Sequence, residues 1–251
     1  PMYISGQRPL MYAQYRQRFG NGEVNMEGSF TNADRRTRVT TYSNKNRGHL
    51  FIDGKFDHND YWRYGFNVKR TTDDTYLSRY LFEGASDRLK SDFFIEGFDD
   101  RNYFYATGIA TQVQSSTYES RKTPLVLPSI NYNYQSEKTK IGFVDFNASF
   151  LSLTRRQGAD TRKVSLQPII TYPFQDNFGN RFKVQAKTTL TSYMVSHLKR
   201  TDKDDFKGMK NRIHPELLLG WDLPLQKLQN ESTFLLKPQA ALILAPNRGS
   251  D

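Results

Sequence analysis

From about residue 10 to residue 244 the chain is a succession of short runs in which apolar and polar residues alternate. Residues 23–31 show it best. Val24, Met26, Gly28 and Phe30 fall on one side, and Glu23, Asn25, Glu27, Ser29 and Thr31 on the other. A period of two is a strand with one greasy face and one wet face. Many such strands with no helix between them form one large antiparallel sheet, which must pack on a second sheet or close into a barrel.

The strand candidates are 10–19, 23–31, 48–58, 61–70, 89–98, 102–114, 126–135, 141–153, 162–172, 182–198, 213–222 and 232–244, with a short extension around Val39 to Tyr42. That is about a dozen strands of barrel-like length. Short turns fall near 20–22, 58–60, 99–101, 136–139 and 176–180. Longer polar connections fall near 32–47, 71–88, 115–125, 154–161 and 199–212. Short and long connections therefore alternate, as they do in outer-membrane barrels and as a soluble sandwich has no reason to do. Pro168 and Pro238 sit inside two strand candidates. Proline is normally confined to edges and bulges, so both predict locally unpaired backbone.

Hydrophobic residues make up 37% of the 251 residues, and mean hydropathy is −0.73. No apolar stretch approaches a transmembrane helix. A membrane barrel remains allowed, because only the outward half of each strand is greasy. Fifteen Tyr and 18 Phe suit strands and the aromatic girdles of such barrels. The absence of cysteine excludes a disulfide, a thiolate metal site and a cysteine nucleophile within the chain. With no leader ahead of Pro1, the chain reads as an excised segment of a longer protein.

The net charge of +10 fits a polyanionic partner: nucleic acid, an anionic membrane surface or another acidic ligand. Aromatics spread over every strand do not make the compact basic face of a nucleic-acid binder. Arg16, Arg18, Arg63, Lys69, Lys90, Lys163 and Lys183 lie on polar faces. They are candidates for a cationic lumen that tolerates phosphate-bearing sugars, or else ordinary lumen charge paired with Glu23, Glu27, Asp92 and Glu96. Asp73 and Asp74 are adjacent, so their carboxylates point different ways and favour a loop anchor over a metal cage. The histidines (His49, His58, His197, His214) show no catalytic or zinc spacing. No cofactor, metal or catalytic site is expected.

Several phrases resemble the transmembrane domain of the LptD family, outer-membrane proteins that assemble lipopolysaccharide. They are Tyr15-Arg16-Gln17-Arg18-Phe19 with Asn21-Gly22-Glu23, and Asp73-Asp74-Thr75-Tyr76-Leu77-Ser78-Arg79-Tyr80. Leu89-Lys90-Ser91 with Glu96-Gly97, Pro124-Leu125-Val126-Leu127-Pro128 and Leu244-Ala245-Pro246-Asn247 follow. Asp73, Asp74, Tyr76, Leu77 and Tyr80 belong to the most specific phrase, and the order and spacing resemble the α-proteobacterial branch.

The resemblance implies a periplasmic jelly roll followed by a barrel of about 26 strands. The barrel takes lipopolysaccharide from periplasmic bridge proteins and releases it through a seam between its first and last strands. An LptE-like lipoprotein plugs its lumen. On that pattern residues 1–251 are a partial barrel domain, all-β, antiparallel and up-and-down, roughly the leading half, without jelly roll or closing strands. Pro1, in the tail of the first barrel strand, and Pro9 are the seam candidates, since proline cannot donate to a ladder. The expected function is a lipopolysaccharide translocon in the outer membrane, not an enzyme. A passive porin or receptor barrel is the alternative, and a barrel lipid hydrolase a more distant one.

Overall fold

The structure is a computed structural model that describes residues 8–36, 40–82, 85–114, 120–200, 203–229 and 232–246. Twelve strands make one antiparallel sheet in which each pairs with the next: β1 (Met11–Phe19), β2 (Gly22–Arg36), β3 (Thr41–Asp57), β4 (Trp62–Thr71), β5 (Arg88–Asp99), β6 (Asn102–Val113), β7 (Leu125–Gln135), β8 (Phe143–Thr154), β9 (Asp160–Gln175), β10 (Arg181–Arg200) and β11 (Lys203–Asp222), closed off by β14 (Gln239–Leu244). Between β11 and β14 the chain makes a separate two-stranded hairpin, β12 (Leu225–Gln229) and β13 (Ser232–Leu236). Among the described residues no second sheet packs on the first. It is open, with β1 and β14 as its edges.

One turn of helix, α1 (Tyr76–Arg79), sits in the β4–β5 connection. The fully enclosed apolar cluster is small and surrounds this helix: Leu10, Tyr76, Leu77, Tyr80 and Leu89, with Phe51 and Phe82 against it. Elsewhere the sheet is held by its ladder and by cross-strand side-chain pairs.

The short turns lie where the sequence places them. At 176–180, Asp176 Oδ1 accepts from the Phe178 and Asn180 N–H groups, a side-chain turn of the kind Asp makes well. Two of the predicted long connections are mostly strand. The β2–β3 ladder runs out to Arg36↔Thr41, and the β10–β11 ladder to Arg200↔Lys203. Residues 32–47 and 199–212 are polar on both faces, so no alternation marks them. A hairpin ladder needs only backbone partners to continue.

The expected strand 232–244 is also broken. Lys237 and Pro238 separate β13 from β14, and the Pro238 carbonyl accepts from the Leu223 N–H. Pro168 does lie inside a strand. It pairs with Phe146 on β8, while the ladder to β10 skips from Ile169 to Leu166. Across that gap Gln167 Nε2 donates to Thr189 Oγ1. Proline's missing N–H thus faces a place where side chains do the pairing.

Close packing of strands sets a further constraint at Gly65. A Cβ there would stand 2.6 Å from the Phe94 ring and 2.8 Å from the Gly54 carbonyl oxygen. Gly65→Val is expected to destabilise the sheet by about 1–3 kcal/mol. Gly20→Ala, with nothing within 4 Å, is expected to leave it unchanged. The urea unfolding midpoint followed by tryptophan fluorescence checks both.

Candidate functional site

The register sorts nearly every side chain of the sheet to one of two faces. Opposed residues share a face, so the assignment passes from strand to strand through the pairings. Val24, Met26 and Phe30 lead to Ile52, Val68 and Phe66, and Val164, Leu166 and Ile170 to Leu190 and Ala186. This apolar face stays open: Phe30 (54%), Phe93 (48%), Val164 (38%) and Leu219 (40%) all keep large exposure. Toward the short-turn end it is rimmed by rings: Phe19 on Phe56, Phe56 on Tyr64, Trp62 on Phe104 and Phe174 on Phe182. An apolar surface of this extent marks a partner or a membrane.

The opposite face is polar and has two sectors. Over β1–β5 it is charged. Arg16 faces Asn25, and Arg18 faces Glu23. Arg63 reaches Asp57 and Glu96, both at 3.5 Å, and lies over the Phe98 ring. Lys69 lies over Phe51, and Lys90 pairs with Asp92 at 3.3 Å. Several predicted cations therefore meet carboxylates or rings. Lys163, over Tyr193, and Lys183, opposite Pro173 and Gly220, lie far around the sheet on the same face. Pro9 precedes β1, and its carbonyl accepts from Thr31 Oγ1. Pro1 lies outside the described residues.

Over β6–β10 the polar face carries an uncharged band two rows deep. One row runs Tyr103, Asn133, Asn147, Gln167, Thr189, and the next Tyr105, Asn131, Ser149, Ser165, Thr191. Asn133 Nδ2 donates to Asn147 Oδ1 at 2.7 Å, Asn147 Nδ2 to Gln167 Oε1 at 3.2 Å, and Gln167 Nε2 to Thr189 Oγ1 at 2.9 Å.

The Asp73 to Tyr80 phrase folds back over the polar face of β2 and β3. Arg47, buried, forks onto Asp73 with two 2.9 Å bonds and donates to Thr75 Oγ1 and the Asp34 carbonyl. Asp73 also accepts from the Thr75 N–H and hydroxyl, and Asp74 binds Arg35 at 2.9 Å. One turn on, the Tyr76 hydroxyl meets Ser29 Oγ at 2.6 Å. Ser29 Oγ meets His49 Nδ1 at 2.7 Å, and His49 Nε2 meets Glu27 Oε1 at 3.2 Å. Leu77 and Tyr80 fill the apolar cluster beneath.

The β4–β5 ladder runs only from Trp62 to Asn67. Above it, Ser91 Oγ accepts from the Lys69 N–H and donates to its carbonyl, and Gln112 does the same for Thr71. Arg47, Ser29 and His49 were not separable from other polar-face residues by sequence, since their partners lie 20 to 47 residues away.

The residues around Ser29 and His49 resemble a hydrolase relay in outline, yet Ser29 Oγ is buried under Tyr76. A family model decides the matter. LptD, described as LPS transport system D, matches residues 45–251. The chain belongs to the LptD family. This is a family of non-enzymatic transport proteins. Membership and the sheet together support an outer-membrane barrel that handles lipopolysaccharide. No curated protein matches the chain.

Burial raises the Asp73 carboxyl, but the hydrogen bonds from Arg47 and Thr75 and the charge of Arg47 outweigh it and hold the group below its ordinary value of 3.8. A depressed carboxylate contributes stability above its unfolded value, and that contribution disappears as pH falls through the folded value. Pepsin cleavage within residues 72–87 is therefore expected to rise as pH drops below 3.8. Asp73→Asn strands the Arg47 charge at a cost of about 3–5 kcal/mol. It is expected to make that cleavage fast and independent of pH.

Proposed function

We propose that this sheet is part of the wall of a lipopolysaccharide translocon of the outer membrane, with its apolar face on hydrocarbon and its polar face on a hydrated lumen. The observation that carries the reading is the segregation of the two faces from β1 to β11. On β9 the apolar face runs from Val164 to Phe174, about 34 Å of strand. Tilted as barrel strands are, that spans about 25 Å, the height of an outer-membrane apolar band. The aromatic rim at the short-turn end sits where such barrels place a girdle.

On this reading residues 1–251 form a partial barrel of α-proteobacterial LptD type, completed by further strands, a periplasmic jelly roll and an LptE-like plug. Bridge proteins deliver lipopolysaccharide from the periplasm. Its phosphorylated sugars travel along the charged sector that holds Arg16, Arg18, Arg63 and Lys69, with Glu23 across the ladder from Arg18, Glu96 beside Arg63 and Glu27 engaged by His49 and Gln14. Its acyl chains leave through a lateral seam on the β1 side of the sheet, where Pro9 withholds a ladder donor and lowers the cost of opening. No chemistry on the cargo is required.

Spin labels on single cysteines introduced into residues 1–251, which carry none of their own, test the arrangement once any cysteine elsewhere in the protein is replaced. In the full-length protein in bilayers, labels at Val164 and Leu166 are expected to be relaxed by oxygen, and labels at Ser165 and Gln167 by a water-soluble nickel chelate. Equal access of both reagents to both pairs would overturn the reading. Leu166→Arg is expected to destabilise the inserted barrel by about 2–4 kcal/mol.

A further inference from the structure

We propose that the uncharged band on β6–β10 is a subsite for neutral oligosaccharide, and that the lumen wall is divided by cargo chemistry. Phosphorylated sugars pass along β1–β5, and uncharged outer sugars along β6–β10. The inference rests on the translocon reading and adds to it a place and a ligand class.

The band is bounded by charge and contains none. Glu96 and Arg63 lie on the β4–β5 side. The Lys187–Glu216 pair and Asp145 lie toward the short turns, and Lys163 toward the long connections. Within it, five adjacent strands present only hydroxyls and amides, about 19 Å across four inter-strand steps. A concavity of ≈ 470 Å³ lies over the middle of the band. Scattered polar residues on a lumen wall give no reason for charge to be absent from ten neighbouring positions on a chain that is 25% charged.

The amides are oriented by one another. The bonds from Asn133 through Asn147 and Gln167 to Thr189 use one N–H and one acceptor lone pair of each middle amide. Each amide has two of both. Asn147 and Gln167 thus keep a fixed donor and a fixed acceptor for a ligand. Sugar hydroxyls, which donate and accept at once, fit that pattern. A phosphate does not, since it needs donors and positive charge. Tyr103 and Tyr105 stand nearly parallel, 6.4 Å apart and 13° off, packed in a row with Phe94 and Phe98, and close the band on its β5 side, where the Tyr103 hydroxyl donates to Glu96. Two rows of similar groups give several weak sites side by side, so a chain can bind and still move on.

Photo-crosslinking in cells that produce the full-length protein tests this. A photoreactive residue replaces Asn131 in the band or Arg16 in the charged sector. The cargo is either complete lipopolysaccharide or a form truncated to its phosphorylated inner sugars. The Asn131 position is expected to capture complete cargo and to lose about tenfold of the adduct with truncated cargo, while Arg16 captures both. Equal capture of truncated cargo at Asn131 would overturn the subsite. So would capture at Arg16 with none at Asn131, which leaves the translocon reading intact. Capture at neither position overturns both.

A second measurement uses the purified protein and a neutral dextran oligomer, read by saturation-transfer NMR on the sugar protons. A signal in the wild type that is lost in folded Asn147→Asp/Gln167→Glu supports the subsite, and no wild-type signal overturns it. Dextran binding without capture of lipopolysaccharide at Asn131 would assign the band to a free glycan and overturn the cargo assignment.

Discussion

The structure depends on one constraint: twelve antiparallel strands must stay in register across their shared ladders. Side-chain direction alternates residue by residue, so a slip of one position on any strand would turn its apolar set to the wrong face. The two faces exist only because each pairing, from Met11↔Phe30 to Leu219↔Leu242, hands the same orientation to the next. Irregularities are placed where they preserve this. On β7, Leu127 and Pro128 together oppose the single residue Gly108, so Val126 and Ser129 rejoin both neighbours in step. The residue without an N–H occupies the bulge, where no ladder bond is asked of it.

Against this regular background the β4–β5 connection stands apart. Its loop is pinned by a buried, bidentate Arg47–Asp73 pair and by the Tyr76–Ser29–His49–Glu27 chain. Beside it, Ser91 and Gln112 replace the backbone ladder with side-chain bonds. A buried ion pair specifies one position more than it adds stability. Here it fixes where the loop crosses the polar face. The sheet is therefore uniform as a scaffold and specific at one end of its charged sector.

The polar face is not a uniform lining. Charged groups line β1–β5 and return at Asp145, Lys163, Lys183 and Lys187, and between them lies a neutral band of amides and hydroxyls on β6–β10; the two kinds of surface suit different parts of an amphiphilic, partly phosphorylated glycolipid. A non-enzymatic transport family needs no perturbed nucleophile. It needs a surface along which binding is weak, repeated and matched to what passes.

The sequence by itself determined the first eleven strands, the tight turns and the two faces, because a period of two is local and survives without knowledge of partners; it missed β12 and the break between β13 and β14. Its expectation that the adjacent Asp73 and Asp74 carboxylates point apart did not foresee Arg35, which lies 4.0 Å from the one and 2.9 Å from the other. It could not show that 32–47 and 199–212 extend the hairpins, since those stretches are polar on both sides and only backbone pairing holds them. Nor could it join Arg47 to Asp73, Ser29 to His49, or Asn147 to Gln167, which are brought together across strands. Those contacts were decided by tertiary structure alone, because register, and not spacing along the chain, sets which polar groups meet.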